Sequence, residues 1–566
     1  MLKRLAFLLP VLVAILPVAP ALSATKVEEA AAALVRGDAA AAVTAYTEAL
    51  KETTLANDRR GTILSDRGVA YARLGQTKLA LDDFNRAVQL FPEYAAVYNN
   101  RGSLLLALNL PREAVRDFNR AVTLAPGYAA AYNNRAGALF RLGQHADAVR
   151  DFTKAIQLMP TSAAPLCGRG QVFLTLGRPH AAIRDFSRAV NADARFALAY
   201  RNRAEAKIEV GRPEEAIEDL SRAIAFDVEN AELYVLRGQA YLASDNTASA
   251  LKDFSRSIEI DPNAAAAYEA RGLAHGLSEA FDDALADLNR AIDLDPRSSV
   301  AFAYRAYVYK QAGQAEVGQK DVETALKLNA NRAEAHWAKG EIEEALGRTE
   351  QAVVDQRKAL ALKPNYKPSM RALERLGAPV SDKAETVISG LGIEAWRVVK
   401  RNNAFYAVND TYPRIAVPLE MAGEGVPRLL EWELKKPPLK GIGVLRFYGG
   451  SVPGQAGPEE VEMVAILDLS ANSVVAIQPH RQGDKVATWT WDEGRVVVAS
   501  VDGVTDEFFL RSVKKDAPAP RRVAEQPGMV PWAPWAQPWG APSGGYDNRP
   551  RPPKRKPKTL FDLLFN

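Results

Sequence analysis

Apolar and small residues recur along this chain in a cycle of 34 positions, held from Gly61 to Tyr366 without a slip. A small residue stands at Gly68, Gly102, Ala136, Gly170, Ala204, Gly238, Gly272, Ala306 and Gly340. Alanine follows at Ala80, Ala114, Ala148 and their equivalents, then a ring at Phe84, Phe118, Phe152, Phe186 and Phe254, then alanine again at Ala87, Ala121 and Ala155. Proline closes many cycles, as at Pro92, Pro126, Pro160, Pro262, Pro296 and Pro364. Within each half-cycle the apolar positions fall at i, i+3, i+4 and i+7, which is one face of a helix. Each cycle therefore predicts two amphipathic helices. Gly or Ala at their crossing lets them approach, and the Phe fills the space beside it. Glycine between the halves (Gly75, Gly143, Gly177, Gly211, Gly347) supplies a left-handed turn. One hairpin cannot bury its own apolar face, so neighbours must stack.

In spacing and identity these residues resemble the tetratricopeptide repeat, TPR. A weaker tenth unit precedes the nine, with Gly37, Ala42, Tyr46 and Ala49 fitting the columns four residues out of phase, and Lys367 to Gly377 reads as one capping helix. The resemblance implies an α-solenoid of about ten TPR-like hairpins over residues 25–377, whose concave groove, lined by the first helix of each unit, holds another protein or an extended peptide. It places candidate groove residues at Asn99, Asn100, Asn133, Asn134, Arg201, Asn202, Tyr307 and Trp337. Asparagine carries both donor and acceptor, so a row of them can hold a peptide main chain regardless of its side chains. Later units carry glutamates there (Glu205, Glu209, Glu232, Glu269, Glu341, Glu344), a pattern that ordinarily marks a solvated face. Cys167, in the column of Asn133 and Arg201, reads as a half-buried filler.

Two further columns are charged where the family often has apolar residues. Arginine recurs at Arg67, Arg101, Arg135, Arg169, Arg203, Arg237, Arg271 and Arg305, with Lys339 completing the column. Aspartate recurs sixteen residues on, at Asp83, Asp117, Asp151, Asp185, Asp219, Asp253, Asp287, Asp321 and Asp355. Helix heights allow each Asp to meet the Arg of its own unit or of the next. The ends of the array favour the first arrangement. With its shifted register the first unit puts Ala45 in the aspartate column, and the capping helix puts Leu373 in the arginine column. Only pairing within a unit satisfies all nine, so a structural ladder of intra-unit bridges is expected.

At Ala378 the periodicity changes. After a linker over 378–392, residues 393–515 show short β-type runs: 395–399, 404–408, 443–448, 461–469, 473–478, 485–491, 495–500 and 507–511. These predict a small antiparallel all-β domain, a barrel or a sandwich. Trp489 and Trp491 share one strand face, and Gly449 to Gly457 reads as a mobile loop. Residues 516–558 are rich in proline, tryptophan and finally basic residues, which predicts a disordered tail. An apolar motif, 559–566, ends the chain and reads as a docking peptide for a second partner or a membrane-surface contact.

The first 24 residues read as a secretory signal: Lys3 and Arg4, an apolar stretch from Leu5 to Val18, and small residues for cleavage near 21–24. A periplasmic or secreted protein follows as the expectation. The net charge of +4 in 566 residues gives no reason to invoke a nucleic acid. The five histidines show no metal spacing, and no nucleophile or cofactor motif stands out, Ser512 to Lys515 being an isolated S-x-x-K. No catalytic residue, metal or cofactor is therefore assigned. The sequence reads as an exported interaction scaffold with a β-module of unknown ligand. The competing reading is an enzyme or cell-envelope glycan-binding protein, whose β-domain acts through groups such as Trp396, Trp432, Trp489 or Trp491.

Overall fold

The computed structural model describes residues 21–510, apart from 364–365, 379–385, 389, 394, 402–403, 410, 413–414, 436–440, 454–456, 471, 493–494, 500 and 502–504. Residues 1–20 of the expected leader, the Ser512 to Lys515 stretch, the tail and the terminal apolar motif lie outside the described residues, as does much of the linker, whereas residues 21–24 begin the first helix. Among the described residues twenty-one helices come first. In the first of two compact units they are α1 (Ala21–Arg36), α2 (Ala39–Ala49), α3 (Asn57–Arg73), α4 (Thr77–Leu90), α5 (Ala95–Ala107), α6 (Pro111–Leu124), α7 (Ala129–Arg141) and α8 (His145–Leu158), and α9 (Ala163–Thr175) straddles the division at Val172. The second unit carries α10 (Pro179–Ala192), α11 (Ala197–Glu209), α12 (Pro213–Phe226), α13 (Ala231–Ala243), α14 (Thr247–Ile260), α15 (Ala265–Leu277), α16 (Phe281–Leu294), α17 (Ser299–Gln311), α18 (Ala315–Leu328), α19 (Ala333–Ala345), α20 (Thr349–Leu362) and the cap α21 (Lys367–Arg375).

The packing follows from the small-residue column. A Cβ placed on Gly68 would fall 2.7 Å from Phe84, and one on Gly102 would fall 2.8 Å from Phe118. The rings occupy that space and are almost fully buried. Gly238 receives Phe254 in the same way, and Gly340 receives Gln356, whose amide Nε2 donates to the Trp337 carbonyl. The four-residue phase shift of the first hairpin is one extra turn at the start of α3, which has 17 residues where α5 has 13. One whole turn leaves the buried face unchanged. The turn between the two helices of a hairpin takes a positive φ in all ten hairpins. Seven of these positions are glycines, Gly37 and Gly313 joining the five expected, but Asn109, Asp245 and Glu279 adopt it too, at φ of 61 to 62°. Side chains there carry strain that glycine avoids.

Among the described residues the β-region has twelve strands: β1 (Thr386–Val387), β2 (Trp396–Arg401), β3 (Ala404–Asn409), β4 (Ala416–Pro418), β5 (Arg428–Leu434), β6 (Ile442–Pro453), β7 (Pro458–Asp468), β8 (Ser473–Gln482), β9 (Lys485–Val486), β10 (Thr488–Asp492), β11 (Arg495–Ala499) and β12 (Thr505–Phe509). They form three antiparallel sheets, β1-β2-β3-β4, β5-β6-β7-β8-β9 and β10-β11-β12. The five-stranded sheet is the middle layer. Leu445, Phe447, Met463 and Ala465 meet Trp396 and Val398 on one side, while Ile442, Val464 and Ile466 meet Val496 and Val498 on the other. Both faces of its central strands are buried, so β7 reads as a continuous apolar run where most of the other strands alternate.

Three local expectations are corrected. Gly449 to Pro453 belong to β6, not to a mobile loop. A bulge between Tyr448 and Ser451 bends the strand there, and Gly450 takes a φ of 97°. A Cβ on Gly449 would fall 2.3 Å from Met463, so glycine is demanded by close packing. The run 485–491 is two strands in different sheets, separated by buried Ala487. Finally, β1, β4 and β5 had no counterpart among the expected runs. Within β5 two leucines are adjacent and Glu431 and Glu433 flank Trp432, which blurs the alternation.

Within the second unit the β-region is bolted to the repeats. The buried Glu420 carboxylate accepts from the backbone N–H groups of His180 and Ala181 (3.1 and 3.2 Å) and pairs with His180 Nδ1 at 2.7 Å. These N–H groups belong to the first turn of α10, where a negative charge is favoured. Arg184 donates to the Ile477 carbonyl at 2.5 Å and Arg212 to that of Val475 at 3.1 Å. Burial pushes the Glu420 carboxyl upward, but the charge and hydrogen bonds of His180 outweigh it and hold it below the usual carboxylate range. A depressed carboxyl stabilises the fold above its unfolded pKa and loses that contribution as pH falls through its folded value. Glu420→Gln is therefore expected to destabilise the second unit by about 1–3 kcal/mol near neutral pH. Urea titrations followed by tryptophan fluorescence should show the gap to wild type closing in acid.

Candidate interaction surface along the repeats

The charged columns meet inside eight of the nine repeats, from Arg67–Asp83 to Lys339–Asp355. Arg101 Nε and Nη2 fork onto the two Asp117 oxygens at 2.8 and 2.7 Å. Arg67–Asp83, Arg135–Asp151, Arg203–Asp219, Arg237–Asp253, Arg271–Asp287 and Arg305–Asp321 repeat the fork at 2.6 to 2.9 Å. Lys339 reaches Asp355 as a single ammonium, at 2.8 Å to the nearer oxygen. The aspartates are buried, Asp185 among them. Burial works against the Arg101 charge, but the bond and charge of Asp117 outweigh it and hold the guanidinium pKa above its usual value.

A third contact had escaped the sequence reading. The remaining arginine nitrogen, Nη1, reaches back to the preceding repeat: Arg101 to Asn85 at 2.8 Å, Arg135 to Asn119 at 2.9 Å, Arg169 to Thr153 at 3.0 Å, Arg203 to Ser187 at 3.1 Å and Arg305 to Asn289 at 2.7 Å. Arg67 reaches Thr47, and Arg237 and Arg271 reach Ser221 and Ser255. The signal was present, since a small polar residue stands two positions after most of the aspartates. An aromatic ring three residues before the arginine covers it, as Tyr98 does Arg101 and Tyr132 does Arg135, at 5.9 and 5.4 Å.

The asparagines of the first unit form a row bonded across repeats. Asn100 Nδ2 donates to Ser65 Oγ at 3.2 Å, and Asn134 Nδ2 to Asn99 Oδ1 at 3.0 Å and to Ser103 Oγ at 3.2 Å. Asn133 Nδ2 donates to Asn134 Oδ1 at 3.2 Å. Asn99 is buried, whereas Asn100, Asn133 and Asn134 are half-buried. Asp66, in the column of Asn100 and Asn134, is half-buried, and burial pushes its carboxyl up to about 7. Cys167 is fully buried.

The candidates of the second unit are differently engaged. Arg201 Nη2 pairs with Glu232 at 2.5 Å and lies 3.4 Å from Glu205, while Asn202 is buried. The Tyr307 and Trp337 rings lie 4.6 Å apart, tilted by 37°, inside an aromatic cluster completed by Tyr304 and Tyr366. Both are buried, so their rings serve packing between repeats. Burial raises the carboxyls of Glu205, Glu209 and Glu269. Lys310 and Arg375 meet at Glu341, and Arg375 also reaches Glu344.

Sequence profiles described as Tetratricopeptide repeat match residues 27–95, 95–128, 127–195, 167–231, 235–299 and 305–367. The matched residues end before the β-region. A comparison with curated proteins finds no match. Among solved structures the chain is similar to a tetratricopeptide repeat protein from Parabacteroides merdae ATCC 43184, at 20% identity over 44% of this chain and 98% of that one, with a TM-score of 0.39. It is similar to YrrB, described as a TPR protein with an unusual peptide-binding site, at 21% identity over 33% and 97% of the two chains and a TM-score of 0.27. It is also similar to PilF of Pseudomonas aeruginosa, at 17% identity over 38% and 97%, with a TM-score of 0.35.

A buried carboxylate stripped of its cation is costly, whereas an apolar pair of similar volume can replace both. Arg101→Leu is expected to destabilise the first unit by about 3–5 kcal/mol. Adding Asp117→Tyr should recover most of that loss, and a double variant no more stable than the single one would contradict the argument.

Proposed function

The chain belongs to the tetratricopeptide repeat family and so is a protein–protein interaction scaffold, and from that premise we propose that it is exported and holds an extended peptide on the asparagine face of its first unit. The observation that carries this reading is the row Ser65, Asn99, Asn100, Ser103, Asn133 and Asn134. Its members orient one another across successive repeats. An amide group has two N–H donors and two lone pairs. The bond from Asn133 to Asn134 uses one donor, so the half-buried members Asn100, Asn133 and Asn134 retain capacity to bond a peptide main chain. The YrrB description shows that one member of the family is known for peptide binding. Export rests on the basic and apolar first 24 residues.

The test has two arms. The full chain, expressed with its own N-terminus, should be recovered from the periplasmic or secreted fraction with a mature terminus near residues 21–24, and an intact Met1 in the cytosol would sink the export reading. Partners captured there should then be titrated by calorimetry. Asn99→Ala with Asn133→Ala together is expected to weaken binding by about 1–3 kcal/mol, and unchanged affinity would remove the asparagine row from the function.

A further inference from the structure

The β-region holds an arrangement that the repeats do not explain. Directly opposed residues on four strands make one row across the middle sheet: Glu431 on β5, Arg446 on β6, Val464 on β7 and Gln478 on β8. Next to it β8 is bulged, since Glu462 pairs with Arg481 and Met463 with Pro479, which leaves His480 between two registers. Bulges re-aim side chains. His480 is aimed at the arginine: its Nε2 lies 3.5 Å from Arg446 Nη1.

The protonation of this pair follows from a third residue. Trp489 on β10 places its indole Nε1 3.1 Å from His480 Nδ1. An indole nitrogen only donates, so Nδ1 accepts and the proton of the neutral imidazole sits on Nε2. Burial and the Arg446 charge hold the His480 pKa below its usual value, which keeps the ring neutral; Glu462 and Arg481 are the other charged groups acting on it. The Nε2–H therefore faces a guanidinium N–H, two donors converging on one point. Arg446 is held in place from behind, because its Nη2 pairs with Glu431. Gln478, in the same row, is 1% exposed, and neither its Oε1 nor its Nε2 has a partner among the described residues. Trp489 and Trp491 run alongside with rings 6.1 Å apart and 16° from parallel, and the Lys435 ammonium stands 4.9 Å from the Trp491 ring.

Two donors with nothing to accept from them are an unfavourable arrangement that one oxygen anion would relieve. We propose that this cluster is an oxyanion-binding site, in which one carboxylate or phosphoryl oxygen accepts from both Arg446 Nη1 and His480 Nε2, with the unpartnered, buried Gln478 in the same row of the sheet. The tryptophans wall the site, and Lys435 adds positive charge beyond them. Nothing in it depends on the repeat groove.

The probes are sodium acetate and sodium phosphate, titrated separately into the full-length, nitrogen-labelled chain at neutral pH and constant ionic strength. The readout is the indole N–H resonance of Trp489, assigned through Trp489→Phe. A saturable shift with at least one probe is expected, together with a rise in the His480 pKa as the anion binds. Saturation at the lower concentration with acetate identifies a carboxylate ligand, and with phosphate a phosphoryl group. Arg446→Gln is expected to weaken the response at least about tenfold, with an unchanged Trp491 resonance showing that the sheet is folded. His480→Asn serves the same purpose if that variant does not fold. A drift that never saturates, or one equally strong in these variants, overturns the proposal.

Discussion

The repeats depend on a buried aspartate that cannot stand alone. Taking a carboxylate out of water is unfavourable unless a cation and good hydrogen bonds accompany it. The arginine of the same hairpin supplies both through a planar fork that a lysine cannot reproduce. Because Nη1 is left over, the same side chain also grips the preceding repeat through Asn85, Asn119, Ser187 and their equivalents. One residue thereby fixes the crossing within a hairpin and the stacking between hairpins. In a solenoid stability is a sum of unit and nearest-neighbour terms, and here a single arginine contributes to both. Repeat nine lacks this device. Lys339 is a point charge, and Asp355 gains help from Gln351.

The β-region uses buried charge for a different purpose. Glu420 fastens it to the start of α10, where two backbone N–H groups and the His180 ring converge on one carboxylate. The middle sheet, buried on both faces, then carries two cores at once. Among its described residues only Asp468 and Gln478 are buried polar side chains. Gln478 and the Arg446–His480 pair stand out because the surrounding sheet meets almost every other need.

The asparagine row and the later aromatic cluster show one column serving two ends. In the first unit small amides leave a polar surface between repeats. In the second unit Trp337 occupies the same column as the half-buried Asn133 but is buried among tyrosines. Column position marks where a side chain starts, and its surroundings in each repeat then decide how far it is buried, since Asn99 and Cys167 are buried in the column where Asn133 is half-buried.

Much of the fold was legible in the sequence because the helix and strand periods are local. The 34-residue cycle gave the hairpins, their glycine–phenylalanine contacts and the capping helix, since one set of steric demands recurs nine times in register. The pairing of Arg101 with Asp117 could be argued from the ends of the array. The bond from Arg101 to Asn85 could not, because it depends on how far one hairpin is displaced from the next. The same holds for the β-region. Its strands alternate visibly, but the passage of Gly449 and Gly450 through a bulge rather than a loop depends on Met463 lying across from them. Glu420 and His180 are 240 residues apart, and neither is conspicuous in its own stretch. Periodicity fixes which residues share a helix or strand face, whereas contacts between distant elements, with the charges and tautomers they impose, exist only once the elements have packed.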